Sequence, residues 1–193
     1  GFYYKEFKGF QKNINYIKID EIIYSKWEKK LNNLKKPIVA ITWQGDPRYA
    51  HDDIRSIPLS FFKDILNNKN FDFISFQKNF GSEQIKSNQF ENLIMDLSNE
   101  IDLGKNAFED TVSILKKVDY VITPDTAIAH LAGTLNIKTY LLLSYNPEWR
   151  WHIENKYRCF YPNINIIQQE NFNDWSGVFK KLKDDLEINK MKD

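Results

Sequence analysis

Residues 121–133 read Val121-Ile122-Thr123-Pro124-Asp125-Thr126-Ala127-Ile128-Ala129-His130-Leu131-Ala132-Gly133, and the fold follows from how they are parsed. An apolar β-type run ends at Thr123, the chain turns at Pro124-Asp125, and a helical run with small residues opens at Thr126. Strand, turn and helix in such short order form part of a βαβ unit. Moving outward, the same alternation recurs. Downstream, Lys138 to Leu143 reads as a strand, Ile164 to Gln168 as a final strand and Trp175 to Ile188 as a closing helix. Upstream, Tyr120 to Thr123 is preceded by a helix over Phe108 to Val118, a short strand over Asn92 to Leu97 and a weak helix over 82–90. Before those come a strand over Phe71 to Gln77, a helix over Pro58 to Asn67 and the run Ile38-Val39-Ala40-Ile41-Thr42-Trp43. Strands that read as unbroken apolar runs are buried on both faces, as in parallel sheets. The expectation is therefore an α/β, Rossmann-like, mainly parallel sheet with helices on both faces and right-handed crossovers.

Asp20 is placed to cap a helix running to about Asn33, whose apolar face would be Ile22, Ile23, Trp27 and Leu31. Residues 1–19 lack a clear period. The domain expectation is a leading arm and connector helix over 1–36 and a Rossmann-like domain over 37–193. The 193 residues fit one domain of roughly 100–200. Hydrophobic residues at 42% and charged residues at 27% are ordinary for a globular chain. With 27 basic and 26 acidic residues, the net charge of +1 gives no footprint for duplex nucleic acid. Cys159 is the only cysteine, so no internal disulfide can form. No apolar run approaches the roughly 20 residues needed to span a bilayer. The first residues lack the apolar stretch and cleavage site of a signal peptide, and the chain reads as a cut from a longer one.

In open α/β sheets, ligands bind beyond the carboxyl ends of the strands. The candidate loops are thus 43–57, 77–83, 97–107, 123–127 and 144–152. After Thr123, the first free N–H groups of the helix make an anion site. Thr126 adds a hydroxyl, small Ala127 admits a phosphate to the backbone, and His130 falls on the same face as Thr126, where it could hydrogen-bond a phosphate or sugar oxygen. On these residues alone, a capped structural helix with Asp125 as N-cap and a partly buried His130 stands as an equal reading. In the first loop, Trp43-Gln44-Gly45-Asp46-Pro47-Arg48 precedes Arg55-Ser56-Ile57-Pro58, and Trp43, Gln44, Gly45 and Arg48 are its candidate ligand residues. Gly45 permits close ligand approach, while Arg48 and Arg55 carry forks suited to phosphate or, alternatively, solvated charges. His51-Asp52-Asp53 matches no metal geometry, and no metal is expected. Gln77 and Lys78 end a strand where they could reach a nucleotide, Glu83 could accept from a ribose hydroxyl, and main-chain groups near Gly104 could read a base edge. Asp110 reads better as a helix cap. The loop Asn146-Pro147-Glu148-Trp149-Arg150-Trp151 suits stacking on a base or sugar, or a domain interface. There is no G-x-S-x-G elbow, Walker loop or G-x-G-x-x-G, which argues against hydrolases of that type, P-loop ATPases and dinucleotide dehydrogenases.

The run Asp125-Thr126-Ala127-x-x-His130-Leu131-Ala132 resembles the signature of the ADP-heptose heptosyltransferase family, with Ala127 where that family usually has Gly. Five other stretches resemble a sister branch that joins tetratricopeptide repeats to a glycosyltransferase domain. They are 43–48 with 55–58, Asp102-Leu103-Gly104, Phe108-Glu109-Asp110-Thr111 and Pro147-Glu148-Trp149-Arg150-Trp151. The resemblance runs from about Tyr16 to the end and implies the C-terminal, donor-binding half of a two-Rossmann GT-B enzyme. It implies that Thr126 and Ala127 contact the phosphates, that Asp125 bonds the donor sugar and that Arg55 neutralises the leaving group. The substrate would be a UDP-, ADP- or GDP-linked sugar, with no tightly bound cofactor and no metal. The partner would be an N-terminal acceptor-binding half, with or without the repeats, and the compartment the cytoplasm or the inner face of its membrane. Alone, the chain would bind donor weakly and catalyse little. The competing readings are a stand-alone nucleotide or nucleotide-sugar binding module and an interaction domain docking through Trp149-Arg150-Trp151.

Overall fold

A computed structural model describes residues 17–151 and 161–190, the side chains only as far as Glu187. Most of the expected leading arm, and Cys159, lie outside the described residues. Six strands form one sheet: β1 (Ile38–Ile41), β2 (Asp72–Ser75), β3 (Ile94–Asp96), β4 (Tyr120–Pro124), β5 (Lys138–Leu143) and β6 (Ile164–Gln168). All five pairings are parallel, in the order β3-β2-β1-β4-β5-β6. The helices are α1 (Glu21–Leu31), α2 (Asp52–Arg55), α3 (Lys63–Leu66), α4 (Gln84–Ser87), α5 (Glu109–Leu115), α6 (Ala127–Thr134) and α7 (Ser176–Lys190). The mainly parallel α/β expectation is met in full: every strand is parallel.

Side-chain alternation assigns each helix to a face. Val39 and Ile41 of β1 join the core that Phe62, Ile65 and Leu66 build with Val178 and Leu182 of α7. Ile38 and Ala40 point the other way, to Trp27 and Leu31 of α1, Val112 and Leu115 of α5, and Ile128 and Ala132 of α6. Both faces of the sheet are thus dry, which is why the strands read as continuous apolar runs rather than alternating ones. Asp20 caps α1, its carboxylate accepting from Ile22 N at 2.8 Å and Ile23 N at 3.1 Å. The rest of α1 lies against α5, with Trp27 fully buried and its indole N–H donating to Asp110.

Local departures have local causes. β1 stops at Ile41, two residues short of the expected end, because the Trp43 N–H turns to the Gln77 side chain. The helix expected over 58–67 begins as a 3-10 turn (Leu59–Phe62) and becomes α-helical only at Lys63. Phe108 takes a left-handed φ of 67°, so α5 opens at Glu109. The short helix α2 has no apolar periodicity to announce it.

The strand order places a topological switch between β1 and β4. From β1 the chain winds outward through β2 to β3, then returns to β4 and winds the other way. Loops leaving the two neighbouring strands diverge there and leave a crevice at their carboxyl ends.

Candidate nucleotide-binding cleft

Two segments 70 residues apart meet at that crevice. The β1 loop delivers Arg55, whose Nη1 donates to the Asp125 carbonyl oxygen at 3.1 Å. Its Nε donates to Asp52 Oδ1 at 2.8 Å. The other carboxylate oxygen of Asp52 accepts from Ser56 Oγ at 2.8 Å, and Ser56 Oγ accepts from Gly45 N at 3.0 Å. Asp52 is buried, while Arg55 keeps about a quarter of its side chain open. Of the five guanidinium N–H groups, two are committed to described residues in these bonds, leaving three that no described residue engages. Gly45 lies directly against this pair: a Cβ there would sit 2.2 Å from Arg55 Nη2 and 2.3 Å from Asp52 Oδ1. The glycine is needed for close approach, not for an unusual φ.

Beneath this layer, three threonines connect the two strand ends. Thr42 Oγ1 and Thr123 Oγ1 are 2.7 Å apart, and Thr123 Oγ1 lies 2.9 Å from Thr126 Oγ1. Thr126, rather than Asp125, occupies the N-cap position of α6, and its hydroxyl makes no capping bond. The first N–H groups of α6 have no intrahelical acceptor, and Ala127 is exposed there. Asp125 is only 7% exposed; among the described residues its carboxylate has no hydrogen-bond partner, its backbone oxygen alone being engaged by Arg55.

Arg55 and Asp125 line a cleft of about 400 Å³ whose far wall is Ser144, Asn146, Pro147 and Glu148 from the loop after β5. Tyr49 spans the rim. Its hydroxyl donates to Glu148 Oε1 at 2.7 Å, and its ring lies 4.5 Å from the Arg55 guanidinium carbon. The bond to Glu148 raises the Tyr49 phenol above its ordinary range.

The other sequence-singled residues fall elsewhere. Trp43 is fully buried, its indole donating to the Gly81 carbonyl at 3.1 Å; it fills the core and does not line the cleft. Gln77 is buried and saturated. Its oxygen accepts from Trp43 N and Gln44 N, and its nitrogen donates to Gln44 O and Phe80 O. It holds the β1 loop and has no group left for a ligand. The Gln44 side chain is bonded to Gln84. Lys78 Nζ donates at 2.7 Å to both Ile101 O and Asp102 O. Glu83 is exposed at the start of α4. Gly104 faces open space, and the left-handed φ in its loop belongs to Asp102, at 48°. Arg48 is mostly exposed and forks onto Asp46, whose carboxyl that bond pulls down to about 2. His130 packs away from the cleft, stacked on Trp151 at 5.0 Å with Nδ1 3.2 Å from the Tyr161 hydroxyl. Burial lowers its pKa. Trp151 is core, while Trp149 is 64% exposed at the cleft.

Sequence reasoning passed over Asp52, Tyr49 and Glu148 as site residues. Asp52 carried a signal, the i,i+3 spacing to Arg55. The Tyr49–Glu148 bond links residues 99 apart and carried none. Among the described residues, no helix is long and apolar enough to cross a membrane, and no cluster of three or more metal-ligating side chains is present.

No protein-family model matches the chain, and no curated protein matches its sequence. Solved structures do match its fold. ADP-heptose lipopolysaccharide heptosyltransferase II of E. coli superposes with a TM-score of 0.61 at 13% identity, over 90% of this chain and 54% of that one. A glycosyl transferase of family 9 from Veillonella parvula gives 0.56 at 10% identity, over 86% of this chain and 46% of that one. The chain spans about half the length of these structures. At such identities the likeness is one of fold, and the chain shares the Rossmann-like architecture of part of these two glycosyltransferases.

Proposed function

We propose that this chain binds a nucleoside-diphosphate sugar through its diphosphate and forms the donor half of a glycosyltransferase. The observation that carries the reading is Arg55, fixed by buried Asp52 at the β1/β4 switch and turned toward the start of α6 with three N–H groups that no described residue engages. A guanidinium and a helix N-terminus converging on one crevice suit a diphosphate. The leaving diphosphate would be stabilised by these preorganised donors rather than by a metal. Ala127 leaves the approach to the first amides open, and the unpartnered carboxylate of Asp125 is placed to accept from a sugar hydroxyl. The tetratricopeptide-linked branch, an acceptor-binding partner half and a cytoplasmic location complete the proposal on the strength of the sequence motifs. The fold neighbours are consistent with it.

Thermal-shift and calorimetric titration against UDP, ADP and GDP tests the reading. One of them should raise the melting temperature in proportion to ln(1 + [L]/Kd), and Arg55→Ala should weaken its binding at least tenfold. Absence of binding by all three, here and in a chain extended with its partner half, would refute it.

A further inference from the structure

We propose that Asp110 is a positioning residue through which helix α1 sets the shape of the exposed loop 102–108, so that a change at α1 is felt at the carboxyl edge of the sheet. The inference does not depend on the donor reading. It starts from a reciprocal pair. The Asp102 carboxylate accepts from Asp110 N at 2.9 Å, from Thr111 N at 3.3 Å and from the Thr111 hydroxyl, and so caps α5 from eight residues upstream. Asp110 returns the bond, its Oδ2 accepting from Asp102 N at 2.8 Å. Its other oxygen, Oδ1, accepts from the Trp27 indole of α1, with Lys26 Nζ 3.5 Å away. The two oxygens of one carboxylate thus hold the start of the loop on one side and α1 on the other. Lys78 pins the same point from the β2 side by donating to the Asp102 carbonyl oxygen.

Residues 103–109 are all exposed. Leu103 keeps 68% of its surface open and Phe108 40%, so burial of apolar surface does little to shape the loop. Yet Asp102 and Phe108 both take a left-handed φ, 48° and 67°. For a bulky residue such as Phe108 that conformation costs free energy and persists only where the surroundings over-determine it. The Asp102–Asp110 pair brackets the two strained positions and supplies that constraint.

The link to α1 is firm for a different reason. Trp27 is fully buried, so its N–H cannot exchange the Asp110 oxygen for water, and losing it would leave a buried donor unsatisfied. A displacement of α1 therefore draws Asp110 away from Asp102 N or forfeits the indole bond. By the same linkage, whatever reshapes the loop acts back on α1.

Residue-resolved hydrogen exchange and the indole N–H resonances of the isotope-labelled chain test this. Trp27→Phe removes the donor and keeps an aromatic ring in the core. Asp110→Asn keeps the shape but can no longer accept on both sides. In either variant the Asp102 and Asp110 amides should exchange at least tenfold faster, while the amides of β1 and β4 keep wild-type rates. A role limited to global stability would instead speed all of them together. In the other direction, Asp102→Asn should shift the Trp27 indole N–H resonance, although Asp102 bonds Asp110 and Thr111 rather than that indole. Wild-type exchange of the Asp102 and Asp110 amides in Asp110→Asn, acceleration of these and the sheet amides in step, or a Trp27 resonance unmoved by Asp102→Asn would each overturn the proposal. Should Trp27→Phe fail to fold, the isosteric Asp110→Asn carries the same exchange test.

Discussion

Gly45→Ala separates the Arg55 hypothesis from general destabilisation. The added methyl would stand 2.2 Å from Arg55 Nη2 and 2.3 Å from Asp52 Oδ1. Ordinary contact begins near 3.4 Å, so the guanidinium must retreat by about 1.2 Å. Asp52 cannot yield as easily, being buried and bonded to Ser56. The Arg55 Nη1 to Asp125 bond, now 3.1 Å, would then stretch beyond hydrogen-bond range. Gly45 has no left-handed φ, so backbone strain does not enter. The far end of the arginine is mobile, but buried Asp52 is not, and the fold should lose about 3 kcal/mol, the upper end for overpacking. For a domain of this size that is roughly 6–12 °C in melting temperature. Affinity is lost separately from this cost. A charge-assisted hydrogen bond to the diphosphate is worth roughly 1.5–3 kcal/mol, or roughly 10- to 150-fold in Kd. Calorimetric titration of wild type, Gly45→Ala, Arg55→Ala and the double variant with the accepted nucleoside diphosphate measures this. In the Arg55→Ala background, Gly45→Ala should have little further effect on affinity. A Gly45→Ala protein that melts lower yet binds at wild-type affinity would refute the placement of Arg55 on the diphosphate.

Other consequences are equally direct. Asp52→Asn keeps the shape but removes the charge holding Arg55 Nε, and should weaken diphosphate binding about tenfold while costing the fold about 1–3 kcal/mol in urea titration; unchanged affinity would mean that Arg55 orients without it. Gln77→Ala strands the buried N–H of Trp43 and the part-buried N–H of Gln44, and chemical denaturation should show a loss of about 2 kcal/mol. If that variant lost affinity with no loss of stability, Gln77 would be a ligand contact after all. His130 has a folded pKa lowered by burial, so its contribution is fully present above its unfolded pKa of about 6.5 and is lost as pH falls below that value through the folded one. Melting temperature should therefore drop more between pH 7.5 and 5.5 for wild type than for His130→Phe, which keeps the stack on Trp151; parallel curves would count against that assignment.

Much of this protein is written locally. Apolar runs at 38–43, 120–123 and 138–143 announce doubly buried strands because both faces of each must be dry. Asp20 announces α1 because a carboxylate two and three residues before free N–H groups caps them wherever it occurs. The switch from strand to helix across Pro124-Asp125 needs only turn chemistry and periodicity. Arg55 stands out as a candidate because of the loop it occupies, and Asp125 because of the motif it shares with the family the chain resembles. What the sequence could not determine is partnership at long range. Strand order, and with it the adjacency of β1 and β4, arises from packing both sheet faces at once. Only that adjacency carries Arg55 to the Asp125 carbonyl and Tyr49 to Glu148. The same packing turns Trp43 and Gln77, which look like ligand residues at strand ends, into core and bracket, since their hydrogen bonds are filled by backbone groups that tertiary structure brings to them. Side-chain type is a local property, whereas the number of donors and acceptors left over for a ligand is fixed only when the rest of the chain has taken its share.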